Sequence, residues 1–165
     1  MKIIGAGQEK TIIQGGGIEI RGTKEEGKRV DMQGMTMKGS KCHGLDNENG
    51  LSFLCKDMTF TQCGYHGVYA NNTKGRLINC VITQCRQSGI YCGNALIEME
   101  GDQTKVDGNV TSGRSYNYGL MTYDTSSIIH LLFPLTKESV STNNHNGQNY
   151  GGSGPIETVD SHETP

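Results

Sequence analysis

The sequence predicts an all-β chain folded as a parallel β-solenoid of about five to six rungs. Three observations predict it. First, one phrase is written twice: MTFTQCGYHGVYA at 58–70 and CVITQCRQSGIYC at 80–92, offset by 22 residues. The shared skeleton is apolar-x-apolar-Thr-Gln-Cys, three residues, then Gly-apolar-Tyr, and a fixed period of this length marks a solenoid. Second, apolar residues alternate inside each copy. Met58 and Phe60 flank Thr59, and Cys80 and Ile82 flank Val81, the period of two that strands require. Third, no stretch keeps a helical period, and 24 glycines among 165 residues weaken helices.

Looser copies flank this pair. MTMKGSKCHGLDN at 35–47 keeps the opening and the Gly-apolar pair, and NVTSGRSYNYGLMT at 109–122 fits with two extra residues. A weaker copy is SVSTNNHNGQNY at 139–150. The recurring glycines are Gly44, Gly67, Gly89, Gly119 and Gly147, spaced by 23, 22, 30 and 28 residues. The longer steps place insertions in outer loops. After each glycine, Leu45 and Asn47, Val68 and Ala70, and Ile90 and Cys92 are expected to point inward, with Asp46, Tyr69 and Tyr91 outward. Strands of about three to five residues are too short to stand alone. Their rungs must stack at about 4.8 Å to close their hydrogen bonds.

Taken in order, KIIGAGQEKTIIQGGGIEIRG at 2–22 reads as the first rungs, short strands punctuated by glycine turns. TKEEGKR at 23–29 is a charged, solvated turn. Residues 30–95 hold the clean repeats, and 96–108 a further strand pair with an acidic turn. SIIHLLFPLTKESV at 127–140 is the most apolar run, and Pro134 argues against a central strand or interior helix there. An edge or rung-changing segment is expected. The solenoid domain is assigned to 1–150 and an irregular tail to 151–165, with Ile156 and Val159 as its anchors.

The repeat phrases across 2–150 resemble the right-handed parallel β-helix family, which includes pectate lyases, alginate epimerases and the carbohydrate-binding and sugar-hydrolase repeat modules. The resemblance implies a right-handed single-stranded parallel β-helix and, by analogy, an extracellular or cell-surface setting. It does not fix the function, because one scaffold hosts many activities. In that family an amphipathic helix usually plugs the first end. Here the rungs come first, so a longer parent chain or another subunit is expected to cover the edge. A homo-oligomer through solenoid ends or faces is the expected partner state.

Composition excludes several classes. The 15 basic and 17 acidic residues are well mixed, with a formal charge of −2 and no basic stripe for nucleic acid. No stretch reaches transmembrane length, and Gly5 and Gly7 interrupt the opening MKII before it reaches signal-peptide length.

Four sets of residues are candidates for chemistry. Of the six cysteines, Cys63 and Cys85 hold the same place in adjacent rungs, while Cys55, Cys80 and Cys92 fall at inward positions. Buried free cysteine behaves as a small hydrophobe, so a reduced structural column is expected. A disulfide between rungs fits by distance, but side chains in register point parallel. His43 and His66 each precede the turn glycine and should stack, continued by Ser88 and Tyr118. Two imidazoles need further ligands before they hold a metal, and a surface ladder is the simpler reading. The outward column Asp46, Tyr69, Tyr91, Met121 makes an aromatic strip. Such a strip serves either sugar or protein contact, or cross-rung stability alone. The sequons Asn71-Asn72-Thr73 and Asn109-Val110-Thr111 matter only in a secreted chain.

Lyases of this fold need clustered carboxylates for calcium and a basic residue to take a proton. Asp31, Asp57 and Asp107 sit in comparable turns with Asn79 between them, and Lys56, Arg76 and Arg114 are available. The phrase at 118–124 is similar to the alginate-epimerase phrase Tyr-Gly-apolar-Asp-Pro-His-Asp. Tyr118, Gly119, Leu120 and Asp124 match, but Met121 and Tyr123 stand where the catalytic Asp and His belong. The expectation is therefore a non-catalytic module for polysaccharide binding or self-assembly, using Tyr69, Tyr91, Asp46, His43, His66 and Tyr118, with no cofactor. The alternative is a polysaccharide lyase or uronate epimerase on an acidic glycan, with Ca²⁺.

Overall fold

The computed structural model describes residues 1–23 and 27–160. The charged turn expected at 23–29 falls partly on 24–26, and the end of the tail on 161–165, both outside the described residues. The chain is an all-β parallel solenoid of about 6 turns. Every strand pairing is parallel, and the strands form three ladders along the stack. The first ladder holds Lys2–Ile4, the starts of Arg29–Lys38 and Ser52–Thr61, then Lys74–Ile78, Leu96–Glu100, Ile128–Leu132 and Ile156–Val159. The second holds Ile12–Gln14, the ends of those two long strands, then Val81–Thr83, Lys105–Asp107 and Ser141–Thr142. The third holds Ile18–Ile20, Leu45–Glu48, Val68–Asn71, Ile90–Gly93, Leu120–Thr122 and Tyr150–Gly152.

The repeat registers superpose as the sequence phrases demand. Phe60 pairs with Ile82 and Tyr69 with Tyr91. Alternation sends one side chain in two to the interior. The inward columns run Met37, Phe60, Ile82, Val106 on the second ladder and Leu45, Val68, Ile90, Leu120 on the third. All eight are essentially inaccessible. Each such side chain contributes about 1.5–3 kcal/mol of burial. Because each is covered in part by its neighbours one rung away, that stabilisation is complete only in the stack.

Corners are made by residues in the left-handed region. Between the first and second ladders stand Gly34, Asp57, Asn79 and Gly101; after the second stand Gly39, Gln62, Gln84 and Gly108; after the third stand Asn49, Asn72 and Asn94. Asn tolerates this conformation because its side chain bonds locally. Here it also bonds across rungs: the Asn72 amide donates to Asn49 at 2.8 Å and the Asn94 amide to Asn72 at 3.3 Å. The recurring glycine has a different cause. Gly44, Gly67, Gly89 and Gly119 have no positive φ, but a Cβ on Gly67 would meet Ile82 Cγ2 at 2.3 Å, and one on Gly89 would meet Val106 Cγ1 at 2.5 Å. The glycine makes room for the rung above.

Several expectations change. Arg29–Lys38 and Ser52–Thr61 are ten residues each, not three to five, because Gly34 and Asp57 turn the corner without ending the strand. Residues 2–22 form one three-stranded rung rather than several. The apolar run at 127–140 is not an edge. Ile128–Leu132 pairs on both sides, and Pro134 follows the strand. A four-residue helix, Lys137–Val140, comes next, its first turn capped by Thr136. In the weak copy, Leu120 pairs with Tyr150, so Gly147 does not occupy the turn-glycine position. Tyr150–Gly152 and Ile156–Val159 extend the ladders into the stretch expected to be irregular. There Ile129 pairs with Ile156 and Leu132 with Val159.

Candidate functional site

The outer surface of the third ladder carries the predicted strip. Asp46, Tyr69, Tyr91 and Met121 are in register on successive rungs. The Tyr69 and Tyr91 rings are stacked, with centroids 4.8 Å apart and planes 18° apart. The histidine pair joins the same cluster. His43 stacks on His66 at 5.3 Å and on Tyr69 at 4.6 Å, and His66 lies 5.0 Å from Tyr91. Tyr65 packs on His43 and Tyr123 on Tyr91, each tilted. The central rings therefore spend their faces on one another and leave their edges outward. Tyr65 and Tyr123 remain 46% and 62% exposed, so the faces available to a ligand lie at the ends of the cluster.

The histidines are not a surface ladder. Nδ1 of His43 accepts the His66 backbone N–H at 3.2 Å, and Nδ1 of His66 accepts the Ser88 N–H at 3.0 Å. Ser88 Oγ then accepts the Tyr118 N–H at 3.1 Å and donates to Met121 Sδ at 3.4 Å. Each side chain thus satisfies a backbone donor one rung up, which requires Nδ1 to be unprotonated. Burial lowers His43 to about 4, and burial with the neighbouring His43 lowers His66 to about 3. Both imidazoles are neutral at pH 7, with Nδ1 already engaged.

Two expected members stand apart. Met121 is in register yet buried, beneath the Ser88 contact. Tyr118 packs against Gly151, where a Cβ would lie 2.5 Å from its ring, and no stacking contact joins it to Tyr91. At the other end of the strip, Glu19, Asp46 and Glu48 line a shallow depression of about 250 Å³ with Arg21 and Asn49. Arg21 pairs with Glu19 at 2.9 Å. Desolvation, then Glu19 and Glu48, raises the Asp46 carboxyl, and desolvation with Glu48 and Asp46 raises the Tyr69 phenol. Burial with Tyr69 and Tyr123 pushes Tyr91 up to about 12.

The carboxylates of the lyase reading are dispersed. Asp31 lies on the outer first ladder, paired with Arg29 at 2.6 Å. Asp57 and Asn79 share the first corner, and Asp107 accepts from Thr142 and Asn143 at the end of the second ladder. Arg114 bonds the Tyr116 hydroxyl, and Arg76 pairs with Glu100. Among the described residues, no group of three or more His, Cys, Asp or Glu is disposed to hold a metal ion. Asn109 is buried, with its amide bonded to Ile82 O and Cys85 N, so its sequon is closed in the folded chain. All six cysteines are free; five are buried and Cys42 is exposed.

Sequence reasoning missed two features. Tyr65 lies in the turn before the third ladder, and Tyr123 continues the outward face two residues past Met121, its N–H donating to Cys92 O at 2.8 Å; neither is in the Asp46–Met121 column itself. Lys2, Lys28, Arg29 and Lys74 line a second concavity of about 820 Å³ with Asp31. They come from three rungs, Lys28 and Arg29 from the charged turn and Lys74 from the place before Gly75 in the same register, and only the stacking gathers them. Comparison with family models, curated proteins and solved structures gives no match.

Proposed function

We propose that this chain is a non-catalytic β-solenoid module that binds polysaccharide along the outer third ladder. The observation that carries this is the continuous cluster of Tyr65, His43, Tyr69, Tyr91 and Tyr123, with its two end rings exposed. A sugar ring stacks on an exposed aromatic face, and tyrosine adds a polar handle. Asp46 and Glu48 lie beside the strip as acceptors for sugar hydroxyls. The test is affinity electrophoresis and a glycan array with the wild type and with Tyr65→Ala and Tyr123→Ala. Both positions are exposed, so the fold should survive their loss. Binding lost in these variants, with an unchanged circular dichroism spectrum, supports the reading. Equal binding by wild type and variants overturns it, as does unsaturated-uronate absorbance released from alginate or pectin, which favours the lyase alternative.

A second reading, self-association, is favoured by the first rung. Ile3, Ile4, Ile12 and Ile13 are 38–62% exposed on its strands, an apolar set that a second copy could cover. Sedimentation equilibrium that finds only monomer at high concentration removes it.

A further inference from the structure

The turn after the second ladder holds a column whose members change chemistry from rung to rung. It runs Ser40, Cys63, Cys85, Asn109, Asn144, all buried. Its upper members tie rungs together. Asn109 Oδ1 accepts the Cys85 N–H at 3.1 Å, and Asn144 Oδ1 accepts the Asn109 N–H at 2.9 Å. Between the third and fourth rungs this column has no amide, and two thiols occupy its positions instead.

Their alignment follows from the backbone on both sides. Thr61 pairs with Thr83 just before them. Gln62 and Gln84 share a left-handed φ of 56° and 57° and bond side chain to side chain at 3.2 Å. Just after them, the Arg86 N–H donates to Cys63 O at 3.0 Å. Cys63 and Cys85 are therefore stacked one rung apart. A rung spacing of about 4.8 Å falls inside the Cα separation of roughly 4.4–6.8 Å that a disulfide spans. Side chains inside a strand point parallel. These two lie beyond the left-handed corner; Cys63 Sγ donates to Thr61 O at 3.7 Å and Cys85 Sγ to Thr83 O at 3.5 Å, and each sulfur lies near enough to the other to shift its titration.

We propose that Cys63 and Cys85 are a site of oxidative modification, forming a disulfide that staples the third rung to the fourth. With a peroxide as oxidant, one thiol gives up its proton and its sulfur attacks the peroxide oxygen. The O–O bond breaks, leaving a sulfenic acid and water. The second thiol attacks that sulfur, the S–S bond forms and a second water leaves. Two thiols and one hydrogen peroxide become one disulfide and two waters. The register holds the second sulfur one rung from the first, within reach of the sulfenic acid once its weak bond to Thr83 O is released. The other close pair does not qualify. Cys55 stacks on Leu77, not on Cys80, so those two thiols share no register position.

The test treats the folded chain with hydrogen peroxide, blocks free thiols with iodoacetamide under denaturing conditions and maps peptides without reduction. The expected result is a Cys63–Cys85 cross-linked peptide that dithiothreitol removes, with Cys63 and Cys85 lost to thiol titration besides the exposed Cys42. The isosteric Cys63→Ser and Cys85→Ser chains should retain their folds and lose the cross-link, whereas Cys55→Ser should keep it. Loss of the exposed Cys42 thiol alone, with the other five still titratable, would overturn the proposal. A dominant Cys55–Cys80 peptide would do the same.

Discussion

Replacing Gly75 by alanine tests the stacking geometry most directly. Gly75 sits in the inward column Val30, Phe53, Gly75, Ile97, Ile129 of the first ladder. Its backbone is ordinary extended strand, so alanine alone would gain about 0.5–1 kcal/mol. The space above Phe53 decides otherwise. A Cβ built on Gly75 lies 2.1 Å from Phe53 Cζ and 2.5 and 2.6 Å from its Cε atoms. Phe53 is only 1% exposed, so the ring has nowhere open to move. Overpacking of this kind costs about 1–3 kcal/mol. For a chain of this size that lowers Tm by about 2–12 °C. Phe53→Leu removes the clashing ring atoms and leaves space instead, so Gly75→Ala in that background should be neutral or stabilising. The double-mutant cycle, read by circular dichroism through urea unfolding, should show a coupling of about 1–3 kcal/mol. Costs that simply add would mean that Phe53 and Gly75 are not stacked, and the column assignments would fall with them.

The remaining predictions concern the ladders and the buried corner. Because His43 and His66 titrate below the ordinary value near 6.5 when folded, the unfolded chain binds more protons between those values. The stability of the neutral ladder is fully present above about pH 6.5 and is lost as pH falls toward about 4 and then 3. In His66→Gln, whose amide oxygen can still accept the Ser88 N–H, the urea midpoint should fall less between pH 7 and pH 4 than in wild type; an equal fall refutes the linkage. At the third corner, Asn72→Ala should cost about 1–2 kcal/mol more than Asn72→Gly, because only alanine pays for the left-handed backbone. Equal unfolding midpoints would contradict this. Asn109→Ala strands the Cys85 N–H and should cost about 1–3 kcal/mol by the same measurement. When the wild type is made through a glycosylating secretory route, mass spectrometry of the folded product should find Asn109 bare.

The stacking was legible because the repeat skeleton is written twice at a fixed offset. Phe60 over Ile82 and Tyr69 over Tyr91 needed only the 22-residue offset and a period of two. The limits of legibility have physical causes. Gln62 and Gln84 look like surface residues in the phrase, yet they turn the corner in a conformation more usual for Gly or Asn. The histidines read as a ladder of rings, but their role lies in Nδ1 capping a backbone donor in the next rung, which depends on a side-chain rotation that spacing does not encode. Pro134 misled because a proline one or two residues past a strand has the same sequence signature as one inside it. Tyr123 continues the outward alternation two residues past Met121, one place beyond the repeat phrase that ends at Thr122.

The match between the two copies also bears on how this molecule can change length. Since Met58 to Tyr69 and Cys80 to Tyr91 occupy equivalent places, a cut at one point in the first copy, rejoined at the same point in the second, excises 22 residues and leaves no seam. The surviving Phe60 or Ile82 then lies between Met37 and Val106, and the solenoid shortens by one step of about 4.8 Å. Unequal recombination within this stretch would therefore yield shorter or longer viable chains, and the extent of the outer aromatic surface would vary with them in whole steps.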